Sequence, residues 1–432
     1  MTMPQLLAAV ITLSAAFSYI NHRWIRLPTT IGLMVMAMVL SLVLIIVGIV
    51  HDPFSEMAEG WVASIGFYET LMHGMLGFLL FAGALHVDLG DLSRQKGVIA
   101  LLATVGVIIS TLLIALLFWL TTAMFGHPVK WIVCLLFGAL ISPTDPISVL
   151  GLLKRVGAPE SLATKIAGES LFNDGIGVVV FMVVFSLAGL DGDGTHLTAG
   201  TMATLFVQEA VGGAVFGFVI GAIAYSMLKS IDHYQVEILI SLALVTGGYT
   251  LATALHVSGP IAMVVAGLLM GNHGRTFAMS QTTRVHLDTF WELIDEILNA
   301  LLFVLIGLEL IVLSFSMPYV LTAVVMIPVV IFARFVAVGL PVTALRWVRG
   351  FTPHAVKALT WGGLRGGISV ALALYLPKTI NGTAFADREI ILTVTYAVVV
   401  FSIVVQGLTI SPMLRRWGLT SDSKNPESHA TA

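Results

Sequence analysis

The sequence predicts an all-α polytopic membrane protein of about 13 transmembrane helices, built as two inverted six-helix repeats with discontinuous crossing helices. Three observations carry that reading. The 432 residues are 58% hydrophobic and only 10% charged, whereas a soluble domain carries about 25% charged residues. Apolar stretches near the roughly 20 residues needed to cross a bilayer recur along the chain. The basic residues alternate from loop to loop, as they do when successive loops lie on opposite sides of a membrane.

The predicted spans lie at approximately 4–21, 29–50, 67–88, 97–124, 130–152, 161–188, 203–229, 235–254, 258–272, 289–313, 318–345, 354–376 and 388–413. Of the 21 Lys and Arg, 16 fall in the loops after odd-numbered spans and in the C-terminal tail, and three in the other loops. Arg334 and Arg365 lie inside spans. Positive charge marks the cytoplasmic side, so the N-terminus is expected outside and the C-terminus in the cytoplasm, in a bacterial-type inner membrane. The first apolar run has no basic residues before it, and Arg23 and Arg26 follow it. That pattern predicts a retained helix and not a cleaved signal peptide. The single cysteine, Cys134, excludes an intrachain disulfide.

The segments between spans carry little chemistry. Asp52, Glu56 and Glu59 make the loop 51–64 acidic, and a solvated loop is the expected reading. Asp191 to His196 resembles the start of a calcium loop, but His196 stands where the sharp turn needs glycine. Residues 1–419 are read as one transporter-like membrane domain, and the polar tail 420–432 is expected to be disordered. No nucleotide-binding motif is present, which argues against a primary pump. No cofactor, enzymatic activity or nucleic-acid partner is expected.

Thirteen spans divide as six, one and six. The offset of seven reverses the second half in the membrane, and matched interruptions in the two halves point to a transporter's site. The fifth span of the first half is broken by Ser142-Pro143-Thr144-Asp145-Pro146, that of the second by Gly362-Gly363-Leu364-Arg365-Gly366-Gly367. Spans over 97–188 and 318–413 are expected to form the core, and those over 4–88 and 203–313 the scaffold. In the linking span, Gly213, Gly217 and Gly221 form a stripe of small residues suited to close helix packing; dimerisation is the lesser alternative.

The polar residues inside these spans carry the chemistry. Pro143 and Pro146 lack amide hydrogens and interrupt the helix, freeing carbonyls that can coordinate a cation; the alternative is a structural kink satisfied by neighbouring helices. A carboxylate at bilayer depth costs roughly 2.5–3.5 kcal/mol, yet Asp145, Glu169 and Asp174 fall within thirty residues. Asp174 lies near the middle of its span and shares a helix face with Ser170; Glu169 and Asn173 occupy the adjoining stripe. A carboxylate beside hydroxyl and carbonyl oxygens suits a hard monovalent cation, and equally a proton. Arg365 needs a buried anionic partner; Glu169 is the candidate, which leaves Asp174 free to titrate, and Asp145 is the alternative. The flanking glycines would let another backbone approach the guanidinium. Asp295, Glu296 and Asn299 either complement a helix dipole or line an inner funnel. His73, His86 and His256 read as packed histidines. Two other classes are weaker. An intramembrane aspartyl protease could use Asp145 and Asp174 as a dyad, but its Gly-x-Gly-Asp motif is missing. A channel would need no titrating ligand.

Together, Ser142-Pro143-Thr144-Asp145-Pro146, Gly168-Glu169-Ser170-Leu171-Phe172-Asn173-Asp174-Gly175 and the glycine-flanked Arg365 resemble the NhaP/NHE branch of the cation/proton antiporters, over about residues 4–413. The resemblance implies electroneutral Na+(Li+)/H+ exchange by a homodimer whose core moves against a dimerisation domain. It implies that Asp174 is the shared cation and proton ligand, that Na+ is also held by Ser170 and the Thr144 carbonyl with Asp145 nearby, that Asn173 steadies the broken helix, and that Glu169 pairs with Arg365. K+ transport on the same scaffold is the alternative. One position departs from the pattern: Phe81-Ala82-Gly83 stands where relatives often carry a glutamate.

Overall fold

The computed structural model describes residues 3–50, 60–62, 64–145, 147–190, 199–313, 316–345, 354–380 and 383–419. The acidic loop residues Asp52, Glu56 and Glu59, the Asp191–His196 segment, Pro146 and the tail lie outside them. The described residues are helical nearly throughout, with one antiparallel strand pair among them, β1 (Thr379–Ile380) and β2 (Thr383–Ala384).

The first group of helices is α1 (Met3–Ile20), α2 (Thr29–Val50), α3 (Leu76–Leu85), α4 (Leu89–Leu101) and α5 (Val107–Met124). Then come the two halves of a broken helix, α6 (Trp131–Ile141) and α7 (Ile147–Arg155), followed by the long α8 (Glu160–Leu187). α9 (Ala199–Lys229), α10 (Tyr234–Ala254), α11 (Gly259–Leu269) and α12 (Gln281–Leu308) follow, then α13 (Met317–Leu345). A second broken helix, α14 (Ala355–Trp361) and α15 (Gly367–Tyr375), precedes α16 (Asp387–Phe401) and α17 (Gly407–Arg416).

Among the described residues, nine helices are long and apolar enough to cross a membrane. That is fewer than the thirteen spans read from the sequence, for identifiable reasons. The breaks leave α6, α7, α14 and α15 too short individually, and α11 has only 11 residues. α12 is long, but it carries Arg284, Asp288, Glu292, Asp295 and Glu296. It also begins eight residues before the predicted boundary at 289, because Ser280 caps it by accepting from the Thr283 N–H at 3.3 Å.

Packing follows from side-chain size. α2 against α12, and α11 between α3 and α9, form one set of contacts; α5 against α6 and α13, and α13 against α16, form another. The small-residue stripe on α9 serves contact within the chain: a Cβ on Gly217 would lie 2.3 Å from the Ala262 carbonyl oxygen, and one on Gly213 2.7 Å from that of Ser258. The two backbones touch because nothing stands between them.

Gly217→Val should therefore force α9 from α11 at a cost of about 1–3 kcal/mol, seen as a lower melting temperature of the purified protein. Gly247→Ala, where nothing lies within 4 Å of the added carbon, should leave it unchanged. Equal melting temperatures for Gly217→Val and wild type would contradict this packing.

Candidate functional site

The two broken helices meet at their interruptions. The Asp145 N–H donates to the Leu364 carbonyl at 2.8 Å, and the two residues form a single antiparallel bridge. Four half-helix ends therefore converge: the C-termini of α6 and α14 and the N-termini of α7 and α15. A helix end carries roughly half an elementary charge, negative at the C-terminus and positive at the N-terminus. The side chains at the junction match this. Arg365 is 2% exposed and its Nη1 donates to the Ser142 and Pro143 carbonyls just beyond α6. Asp145 stands two residues before α7, and its carboxylate lies beside Gly366, next to the first residue of α15. The Arg365 N–H is taken by Ser402 Oγ at 2.9 Å, from a π-helical turn, Ser402–Gln406, between α16 and α17.

α8 secures the first break from the side. Asn173 holds Thr144 through both its main chain and its side chain. Its Oδ1 accepts the Thr144 N–H at 3.1 Å, and its Nδ2 donates to Thr144 Oγ1 at 2.8 Å. Ser170 Oγ shares a hydrogen bond of 2.9 Å with the same Thr144 hydroxyl. Pro143 rests against α8 at Gly177, where a Cβ would lie 2.3 Å from its ring. Ser170, Asn173, Thr144, Pro143 and Asp145 are thus brought into one buried cluster.

One expected pairing is overturned. Glu169 does not bind Arg365. It forms a two-pronged ion pair with Arg334 of α13, Nη1 to Oε1 at 2.5 Å and Nη2 to Oε2 at 2.8 Å, both residues being buried. The physical reason is competition for donors. The proline-interrupted backbone leaves carbonyls that only a fixed donor in the break can reach, and Arg365 is committed to them. Gly363 makes room for the rival: a Cβ there would lie 2.5 Å from Arg334 Nε. The glycines around Arg365 thus admit Arg334 on one side and Asp145 on the other. In the sequence Arg334 stands inside an apolar span with no partner in sight. The cost of an unpaired arginine in an apolar run was the available signal.

Asp174 is 6% exposed, and among the described residues nothing donates a hydrogen bond to its carboxylate. It faces a cavity of about 740 Å³ whose lining also includes Asp145, Pro143 and Gly366. The opposite wall is α12, through Glu292, Asp295, Glu296 and Asn299; the funnel reading of these residues is the one the structure supports. α3 contributes an apolar wall that includes Ala82 and Gly83. Such a cavity is large enough to hold water and small ions beside a carboxylate otherwise enclosed by protein.

Removing one partner of a buried pair strands the other at a cost of about 3–5 kcal/mol. Glu169→Gln and Arg334→Ala should each lower the melting temperature markedly, and together by less than the sum of the two. Glu169→Gln with Arg365→Ala should be closer to additive. Strong coupling of Glu169 to Arg365 with none to Arg334 would contradict the geometry.

The description "Sodium/hydrogen exchanger, transmembrane" belongs to a family that matches residues 11–416. The Na+/H+ antiporter NhaP of Pseudomonas aeruginosa is 52% identical over 419 residues, covering 96% of this chain and 97% of the relative. The Na+/H+ antiporter NhaH of Halobacillus dabanensis is 36% identical over 385 residues, covering 88% and 91%. In fold, the chain resembles the sodium proton antiporter MjNhaP1 from Methanocaldococcus jannaschii, with a TM-score of 0.74 at 20% identity over 95% of this chain and 97% of that one. This protein is an integral membrane protein, and it belongs to the sodium/hydrogen exchanger family.

Proposed function

We propose that the protein is a secondary active Na+(Li+)/H+ antiporter that exchanges one cation for one proton at Asp174 by alternating access. The observation that carries this reading is a buried carboxylate that accepts no hydrogen bond among the described residues, facing a cavity of about 740 Å³ beside the junction of two broken helices. Na+ would be held by Asp174, the Ser170 hydroxyl and the Thr144 carbonyl, with Asp145 nearby. Asn173 and Ser170 keep the Thr144 segment in position for that task. A proton on Asp174 removes the charge that holds the cation, and a bound cation excludes the proton, so the two species compete for one group. Exchange of one for one moves no net charge. The names of the two bacterial relatives, both Na+/H+ antiporters, support the reading; K+ on the same scaffold is the alternative.

In this reading the chain crosses the membrane thirteen times, counting the broken helices, α11 and α12 as spans, and its halves form inverted repeats. The convergence of half-helices on Asp145 and Leu364 supports that arrangement. The core helices, about 97–188 and 318–413, move against the scaffold helices, about 4–88 and 203–313, which also pair two copies as a homodimer in the bacterial inner membrane. The cavity reaches Pro28, Thr29 and Thr30, just past the basic residues Arg23 and Arg26. By the positive-inside rule it opens to the cytoplasm. No enzymatic chemistry and no cofactor belong to this mechanism.

Asp174→Asn keeps the shape of the side chain and cannot take up a proton. In everted vesicles carrying a pH-sensitive dye, the variant should be present at wild-type levels and give no Na+- or Li+-dependent dequenching. Wild-type vesicles clamped at different membrane potentials should exchange at the same initial rate. Proton movement driven by Na+ through Asp174→Asn would sink the assignment, and a voltage-dependent rate would require another transported charge.

A further inference from the structure

We propose that Asp295 and Asn299 form a second, shallower subsite for a partly hydrated monovalent cation, set in the α12 wall on the way to Asp174. The proposal rests on the antiporter reading and adds a stopping place to its route.

α12 shows a graded change in exposure toward the junction. Glu292 is exposed, Asp295 half-buried and Asn299 buried at 5%, and all three line the cavity that holds Asp174 and Asp145. Residues three and four apart share a helix face, so these side chains descend one wall turn by turn. Leu302, three residues further, marks the bottom: a Cβ on Gly367 at the start of α15 would lie 2.7 Å from its Cδ1. Asn299 therefore stands one turn short of the crossing.

The unpartnered amide oxygen of Asn299 points to a ligand. Its Oδ1 is buried without a hydrogen-bond partner, on a residue that lines the cavity together with Asp295. A buried carbonyl oxygen left unsatisfied costs free energy. It becomes useful if a cation passes, because it adds a neutral oxygen ligand to the neighbouring carboxylate. α3, packed against α12, supplies Leu76, Leu79 and Leu80, with His86 just past its end, so the oxygen ligands come from α12 and the rest of the cavity leaves room for retained water. Complete loss of an ion's hydration in one step is expensive. Two sites in series divide that cost and keep each bound state weak enough to leave.

Asn299→Leu preserves size and removes the oxygen. It should raise the half-saturating Na+ concentration for exchange roughly tenfold, the scale of losing one polar contact to a charged group, and raise it more than it lowers the maximal rate. Asp295→Asn should act in the same direction, and Asn299→Asp should lower the half-saturating concentration, which a merely structural role would not do. A binding measurement separates this subsite from the deeper one. Purified Asp174→Asn should still broaden the ²³Na NMR line in a saturable manner, and adding Asn299→Leu should abolish the broadening. If Asn299→Leu and Asp295→Asn leave both the half-saturating concentration and the residual broadening unchanged while Asp174→Asn is inactive, the subsite is wrong and the antiporter reading stands. Continued exchange by Asp174→Asn would instead remove the reading on which the subsite rests.

Discussion

The structure depends on how two interrupted helices are allowed to cross in an apolar interior. Each break strands backbone donors and acceptors that water would satisfy at a surface and lipid cannot. One main-chain bond, from Asp145 N–H to the Leu364 carbonyl, joins the breaks, and side chains must answer for the rest. Arg365 takes the carbonyls of Ser142 and Pro143, Asn173 takes both hydrogen-bonding groups of Thr144 that face it, and Ser402 takes the Arg365 amide. The junction also gathers unlike ends: a guanidinium where helix C-termini meet, and a carboxylate where N-termini meet. The polar residues that looked costly in the sequence offset the cost of the broken backbone.

Two ionic systems result, and they do different work. Glu169 and Arg334 are a closed pair joining α8 to α13, with both charges buried and both prongs of the carboxylate occupied. Nothing in that pair is open to a passing ion. Asp174, five residues further along α8, faces the cavity. Placing Glu169 and Asp174 on different faces of one helix lets the same element be anchored through one carboxylate and present the other to the cavity. The glycines at 363 and 366 permit this crowding, since a side chain at either would collide with Arg334 or Asp145.

Much of this was legible in the sequence because the relevant signals are local. Proline in an apolar run breaks a helix wherever it occurs, and a carboxylate at mid-span needs a reason anywhere. The four-residue spacing of Ser170 and Asp174 is helix geometry. What could not be read was which distant groups meet. Glu169 is 165 residues from Arg334, and choosing between two buried arginines needs the packing of α13 against the α14–α15 break. Backbone carbonyls have no letter in a sequence, so the partners of Arg365 were invisible and a carboxylate was assigned in their place. Likewise, the glycine stripe on α9 announces close packing without saying that α11 is the neighbour, and the acids of α12 allow two readings that the cavity they line decides between.

In the proposed exchange cation and proton compete for the Asp174 carboxylate, so the purified protein should release protons as it binds the cation. Calorimetric titration with Na+ in buffers of different ionisation enthalpy, repeated across a pH series, counts the protons displaced. Linkage requires the exchange to be reciprocal, so release should rise to about one proton per bound Na+ and should vanish in Asp174→Asn. Saturable Na+ binding at the wild-type site with no proton release at any pH would contradict the account.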